Sequence, residues 1–227
     1  MLQHLLIRTP VSLLWLTLLP IAACSGGRDV DSSLTTEERY SRGIEELNDG
    51  DYLEAVRHLE TLLLQDPASE LADDAQFHLA EAYYRQEEYY TAAFQYSRVL
   101  TEFRGSPYYK RALYMTGECY YQLSPRFERD QKRTEQAIRQ YQAFLQYFPN
   151  DSLATTVRER IGTLRGKLAE RDYSVAMSYM ERSRFKAAAI YFQRVVDNYP
   201  DTEFARLARE GLDVANARIQ SGEGEDD

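Results

Sequence analysis

The chain has 227 residues, 44% of them hydrophobic and 28% charged, with 27 basic against 36 acidic side chains and a formal charge of −9. An acidic balance of this kind gives no electrostatic footprint for nucleic acid, and two cysteines cannot form the disulfide framework of a small secreted domain. Eighteen tyrosines are an excess for which the fold must account.

Residues 1–23 read as an address rather than as part of the fold. His4 and Arg8 give a weakly basic start, and the apolar run from Val11 to Ile21 is shorter than the ~20 residues needed to span a bilayer, so it has the character of a signal-peptide core. The segment Ile21-Ala22-Ala23-Cys24 resembles a bacterial lipobox. That resemblance implies cleavage before Cys24, diacylglycerol in thioether linkage on its sulfur, and an N-acyl chain on the new amine. The plainer alternative is a secretory signal whose cleavage site happens to contain cysteine. Several acyl chains, at ~0.8 kcal/mol per buried CH₂, would make a lasting membrane anchor. Ser25 after the cysteine resembles the outer-membrane sorting class, and residues 24–34 have the Ser-Gly-Gly and polar composition of a flexible, lipidated tether.

From residue 35 onward the chain repeats itself. Thr35 with Glu38 and Asp51 with Glu54 have the spacing of capping boxes at helix starts. Ala55 is followed by Leu59 and Pro67; Ala137 by Tyr141 and Pro149; Ala188 by Phe192 and Pro200, each at the same offsets. Ala92 and Tyr96 fit the frame with Arg104 in the place of the proline. A matching upstream half contains Gly43, Ala80 with Tyr83, Gly117 with Tyr120, and Ala176 with Tyr179. This is the tetratricopeptide pattern of paired helices A and B: small residues where the helices cross, aromatics filling the gaps between pairs, and proline ending helix B. No segment alternates with the period of a strand. The fold class is therefore all-α, a tetratricopeptide-repeat (TPR) solenoid of about four repeats with a C-terminal capping helix.

Repeats 1–2 fall in 35–106 and repeats 3–4 in 107–200. The helix-B alanines lie 37, 45 and 51 residues apart, against about 34 for an unadorned repeat. The second gap holds an insertion at 123–133. The third holds Leu153, Val157, Ile161, Leu164 and Leu168 at helical spacing, which predicts one long helix near 152–182 that Gly162 and Gly166 could bend. Residues 201–219 read as the cap, and 220–227 as an acidic disordered tail.

Nothing in the pattern carries catalysis. His58 and His78 stand apart on different helices and read as surface or groove side chains, with no metal-ligand spacing; phosphate loops and nucleophile elbows are missing. Cys119 reads as a small buried apolar group. The expectation is a non-enzyme without metal or cofactor, apart from the lipid on Cys24. The inward-facing helix-A positions are Tyr40, Phe77, Glu81, Tyr84, Arg85, Arg111, Tyr114, Glu118 and Tyr121. Rigid aromatics with interspersed charges suit an extended peptide. Tyr40 and Ile44 stand where TPRs that clamp a carboxyl terminus on the first helix carry lysine and asparagine.

The segments Leu123-Ser-Pro-Arg126, Asp130-Gln131, Thr134, Tyr147-Phe-Pro-Asn150, Tyr173-Ser-Val-Ala176 and Tyr199-Pro-Asp-Thr202 resemble the BamD family, TPR lipoproteins of the β-barrel assembly machinery. The resemblance covers about residues 35 to 215. It implies a scaffold on the periplasmic face of the outer membrane, tethered through Cys24. C-terminal repeats would bind a BamA-like barrel assembly protein, and the N-terminal groove would receive unfolded outer-membrane protein segments. Longer family members complete a fifth repeat, whereas a single helix is expected here after repeat four. The rival readings are another TPR lipoprotein scaffold, such as a pilotin-like secretin assembly factor, and a cell-wall enzyme or its activator.

Overall fold

The computed structural model describes residues 34–223; the leader, Cys24 and the tether up to residue 33, and residues 224–227 at the end, lie outside the described residues. The described residues form nine α-helices and no strand: α1 (Thr36–Asp49), α2 (Tyr52–Gln65), α3 (Ala72–Arg85), α4 (Tyr89–Glu102), α5 (Tyr109–Gln122), α6 (Lys132–Tyr147), α7 (Ala154–Glu181), α8 (Phe185–Asn198) and α9 (Glu203–Gln220). Each packs on its neighbours in sequence, and α1 also touches α3 as α7 touches α9. Four helix pairs therefore stack in order, with α9 against the last pair, as a TPR solenoid does.

Local chemistry explains most boundaries. Thr35 and Glu38 form a complete capping box at α1, and Asp51 accepts the Glu54 N–H at 3.3 Å at α2, each satisfying a donor that the first turn leaves orphaned. Pro67, Pro149 and Pro200 directly follow the C-caps Asp66, Phe148 and Tyr199. Helix α4 ends at Phe103 with the same cap geometry, φ −123° and ψ 53°, although Arg104 replaces the proline. Within three residues the Ser106 N–H bonds the Phe103 carbonyl at 2.9 Å and turns the chain into α5.

Three of the four turns from helix A to helix B, all but the one holding the insertion, share a left-handed residue: Gly50 at φ 85°, Glu87 at φ 62° and Ser183 at φ 57°. In each, the next residue's N–H reaches back to a carbonyl one turn inside the helix, Asp51 to Glu46, Glu88 to Tyr83 and Arg184 to Tyr179, at 2.9 to 3.0 Å. Only the first of these turns carries the glycine that announces it.

The core follows the repeat pattern. Ala55, Ala80, Ala92, Ala137, Ala176 and Ala188 are fully buried, as are Tyr96, Tyr141 and Phe192 between them. A Cβ on Gly43 would lie 2.9 Å from Leu59, and one on Gly117 2.7 Å from the Tyr141 ring. Gly211 on α9 repeats the device against Phe192, at 2.5 Å; the sequence frame did not extend that far. Helix α7 runs unbroken through Gly162 and Gly166, about 42 Å at 1.5 Å per residue. The insertion is tied down by a buried glutamine. Gln131 donates to the Arg126 and Arg129 carbonyls at 2.8 and 2.9 Å and accepts from the Thr134 hydroxyl at 2.7 Å. The first tail residues also differ from the sequence expectation: the Glu223 N–H bonds the Arg218 carbonyl at 3.0 Å and its carboxylate pairs with Arg218, which continues the cap of α9.

Candidate peptide-binding face

The nine groove residues named from the sequence come from the helix-A elements α1, α3 and α5. Tyr40 on α1 is half-buried, its ring centroid 6.2 Å from that of His78 on α3. Burial, reinforced by Asp74 and Asp73, pushes its phenol pKa upward. Glu81 lies 3.6 Å from His78 and 3.1 Å from Arg85. Contact with His78, with Arg85 and Arg111 nearby, holds its carboxyl below the usual range against the opposing effect of burial. Arg85 and Arg111 are exposed. Together these groups make a charged strip flanked by rings.

A second cluster lies along α5, where it meets the end of α3 on one side and α6 and α7 on the other. Tyr84 packs edge-on to Tyr89 at 5.3 Å, and Tyr114 edge-on to Phe144 at 5.9 Å. Burial first, then Glu118, pushes the Tyr114 phenol up to about 12. The Arg160 guanidinium sits 4.2 Å above the Tyr121 ring, and its Nε is 3.5 Å from the Glu118 carboxylate. Such a cation held over a ring and beside one carboxylate contributes both charge and a flat surface.

Three expectations are corrected. Phe77 was expected to face the groove, but it is 3% exposed and stacks on Tyr108 at 4.4 Å, so it supports the face from beneath. Glu118 is 6% exposed and accepts a hydrogen bond from the buried Tyr141 hydroxyl. It ties α5 to α6 and reaches solvent chemistry through Arg160 rather than directly. The histidines also separate: His78 lies on the face between Tyr40 and Tyr108, whereas His58, expected at the surface or groove, is buried on α2. Cys119 is fully buried, and burial followed by Glu118 pushes its thiol up to about 12, far from a reactive thiolate.

Sequence reasoning missed Tyr108 and Arg160. Tyr108 is the N-cap of α5, outside the repeat frame, and Arg160 belongs to the extension of α7 that no standard repeat contains. Only the length of α7 signalled that extra side chains would reach this face.

A family model described as YfiO, outer membrane lipoprotein, matches residues 32–224. The chain belongs to this family. Relatives named outer membrane protein assembly factor BamD include the protein of Pasteurella multocida, 27% identical over 198 residues that cover 83% of this chain and 76% of that one. That of Neisseria meningitidis serogroup B is 28% identical over 217 residues, covering 88% and 81%. That of Caulobacter vibrioides is 28% identical over 187 residues, covering 80% of this chain and 61% of the relative. The resemblance read from Ser124-Pro125-Arg126 and Asp130-Gln131 therefore holds. Among solved structures, a TPR protein of Parabacteroides merdae aligns with a TM-score of 0.42 at 18% identity, covering 82% of this chain and 61% of that one. The repeat assignment rests instead on the helix pairing and close crossings of this chain itself.

Proposed function

We propose that this chain is an outer membrane protein assembly factor that works by binding and positioning, without a covalent step. Membership of the YfiO family, whose model matches residues 32–224, is the observation that carries the reading. Relatives named for outer membrane protein assembly favour it over a pilotin-like secretin factor. In the finer reading, Cys24 carries the lipid and tethers the protein to the periplasmic face of the outer membrane. The α1–α3–α5 face, with Tyr40, His78, Arg111, Tyr84, Tyr114 and Tyr121, receives unfolded outer-membrane protein segments. Repeats 3 and 4 hold a BamA-like barrel assembly protein.

The test is purification of the tagged, lipidated chain from outer-membrane extracts, with co-purifying chains identified by mass spectrometry. Stoichiometric recovery of a barrel protein with periplasmic domains supports the reading; recovery of a secretin or a cell-wall synthase in its place overturns it. For the face itself, Arg85→Glu with Arg111→Glu is the cleaner perturbation. Both side chains are exposed, whereas Tyr84→Ala with Tyr114→Ala also removes packing against buried clusters. Unchanged capture of an unfolded barrel segment by the folded double-Glu variant would count against the face.

A further inference from the structure

Between the insertion and α7 lies an open surface cleft of about 600 Å³, bordered by Ser124, Pro125, Arg126 and Phe127 on one side and by Gly166 and Lys167 on the other. Clefts of roughly 300–1,000 Å³ hold small ligands. The loop wall is built rather than slack, because Gln131 fixes two of its carbonyls from within. Its other end is pinned where the Lys167 Nζ donates to the Ser124 hydroxyl at 2.8 Å and that hydroxyl meets Thr134 at 2.7 Å.

Lys167 is the informative group. It is only partly solvated and forms no ion pair among the described residues. Burial pulls its pKa down, opposed only by Glu170. Two of its donors rest on the Ser124 carbonyl and hydroxyl and its one acidic neighbour, Glu170, makes no ion pair with it, so a partly buried ammonium keeps a third donor for an anion. The Arg126 guanidinium borders the same space, 85% exposed and 3.3 Å from Glu128, and can supply a planar pair of donors. A Cβ at Gly166 would meet nothing within 4 Å, so the helix side of the cleft is open. Pro125 and Phe127 provide an apolar wall. Glu170, also on the wall, disfavours a dianion or a run of acidic residues. One carboxylate beside one apolar side chain is the chemistry that fits.

We propose that this cleft binds the C-terminal carboxylate of a partner polypeptide, with Lys167 and Arg126 on the carboxylate and the terminal side chain against Pro125 and Phe127. The site requires nothing of the helix-A face. Lys167 lies seven residues along α7 from Arg160, about 10 Å.

The test is an NMR titration of the full chain in detergent micelles, following the amides of Ser124, Phe127 and Gly166. The probes are N-acetyl-Ala-Phe with a free carboxylate, its C-terminal amide, the amide of N-acetyl-Asp-Phe, and inorganic phosphate. The free carboxylate should give saturable shifts at all three amides. Its amide should bind about tenfold more weakly, as should the free acid to Lys167→Met, the loss expected for one charge-assisted contact. Lys167→Arg should retain binding. Gly166→Leu should abolish it while leaving the helix folded, since leucine is the better helix former. Tyr84→Ala with Tyr114→Ala should leave it unchanged, which separates failure of this site from failure of the peptide face. Equal binding of the amide, of the aspartyl side-chain carboxylate or of phosphate overturns the proposal, as does unaltered binding by Lys167→Met or Gly166→Leu.

Discussion

Alanine substitution at the helix glycines of this array should change sign with position. At Gly162 and Gly166 an added Cβ meets nothing within 4 Å, so only the helix propensity counts, and each change should stabilise by about 0.8–1 kcal/mol. At Gly117 the same Cβ falls 2.7 Å from two Tyr141 ring carbons, roughly 1 Å inside the optimal ~3.5–4.0 Å carbon separation. Tyr141 is fully buried and its hydroxyl is tied to Glu118, so the ring cannot swing clear. Overpacking costs about 1–3 kcal/mol, which leaves a net destabilisation of up to about 2 kcal/mol after the propensity gain. Gly211→Ala, with three Phe192 ring atoms at 2.5 to 2.8 Å, should cost at least as much. Thermal unfolding of the full chain in micelles, followed by circular dichroism at the helix band, reads these as shifts of about 2–4 °C per kcal/mol for a domain of this size. If Gly117→Ala and Gly162→Ala move the midpoint in the same direction by similar amounts, the close-crossing account of the repeats is wrong.

Three further outcomes can be checked on the same purified protein. Ser183→Gly should stabilise by about 0.5–1 kcal/mol, because the left-handed turn costs a non-glycine residue about 1–2 kcal/mol and glycine returns part of that to the unfolded chain; a loss of stability in urea titrations would refute it. Asp172 is 1% exposed and pairs with Arg171 at 2.8 Å and Arg194 at 3.0 Å. Asp172→Ala should destabilise repeat 4 by about 2 kcal/mol, below the ~3–5 kcal/mol of a fully buried pair because both arginines stay partly in water; hydrogen exchange confined to α7 and α8 would report it. The His58 pKa is lowered from 6.5 by burial and then by Arg39, so the unfolded chain binds its proton first. Its contribution is present above about pH 6.5 and lost as pH falls toward the folded-state pKa. His58→Gln should flatten the decline in urea midpoint between pH 7 and pH 5.5, and an unchanged slope would remove His58 as its source.

The candidate site was legible in part, for reasons visible in particular residues. Tyr40, Glu81, Tyr84, Arg85, Arg111, Tyr114 and Tyr121 could be placed on helix A because helix periodicity and the small-residue frame assign each position a direction. Phe77 and Glu118 satisfied the same periodicity and yet are buried. Phe77 is covered by Tyr108, which reaches over from the start of α5, and Glu118 is claimed by Tyr141 from α6. No helical wheel contains a neighbour's side chain. Arg160 was invisible for the converse reason, since an arginine on the outer half of an extended helix looks solvated until α5 is placed beside it.

The repeat of small and aromatic residues, with proline or cap chemistry at the boundaries, by itself determined an all-α array and the residues that would fill its core. Those signals act within one helix pair, where steric fit and backbone hydrogen bonding are local. Tertiary structure alone decided that α4 stops without a proline, that Glu87 and Ser183 take the left-handed turn in place of glycine, and that Gly162 and Gly166 leave α7 unbroken. It also brought Lys167 against Ser124, 43 residues away in the chain. Each of these depends on how consecutive pairs press together, and that packing energy outweighs local preferences of about 1 kcal/mol.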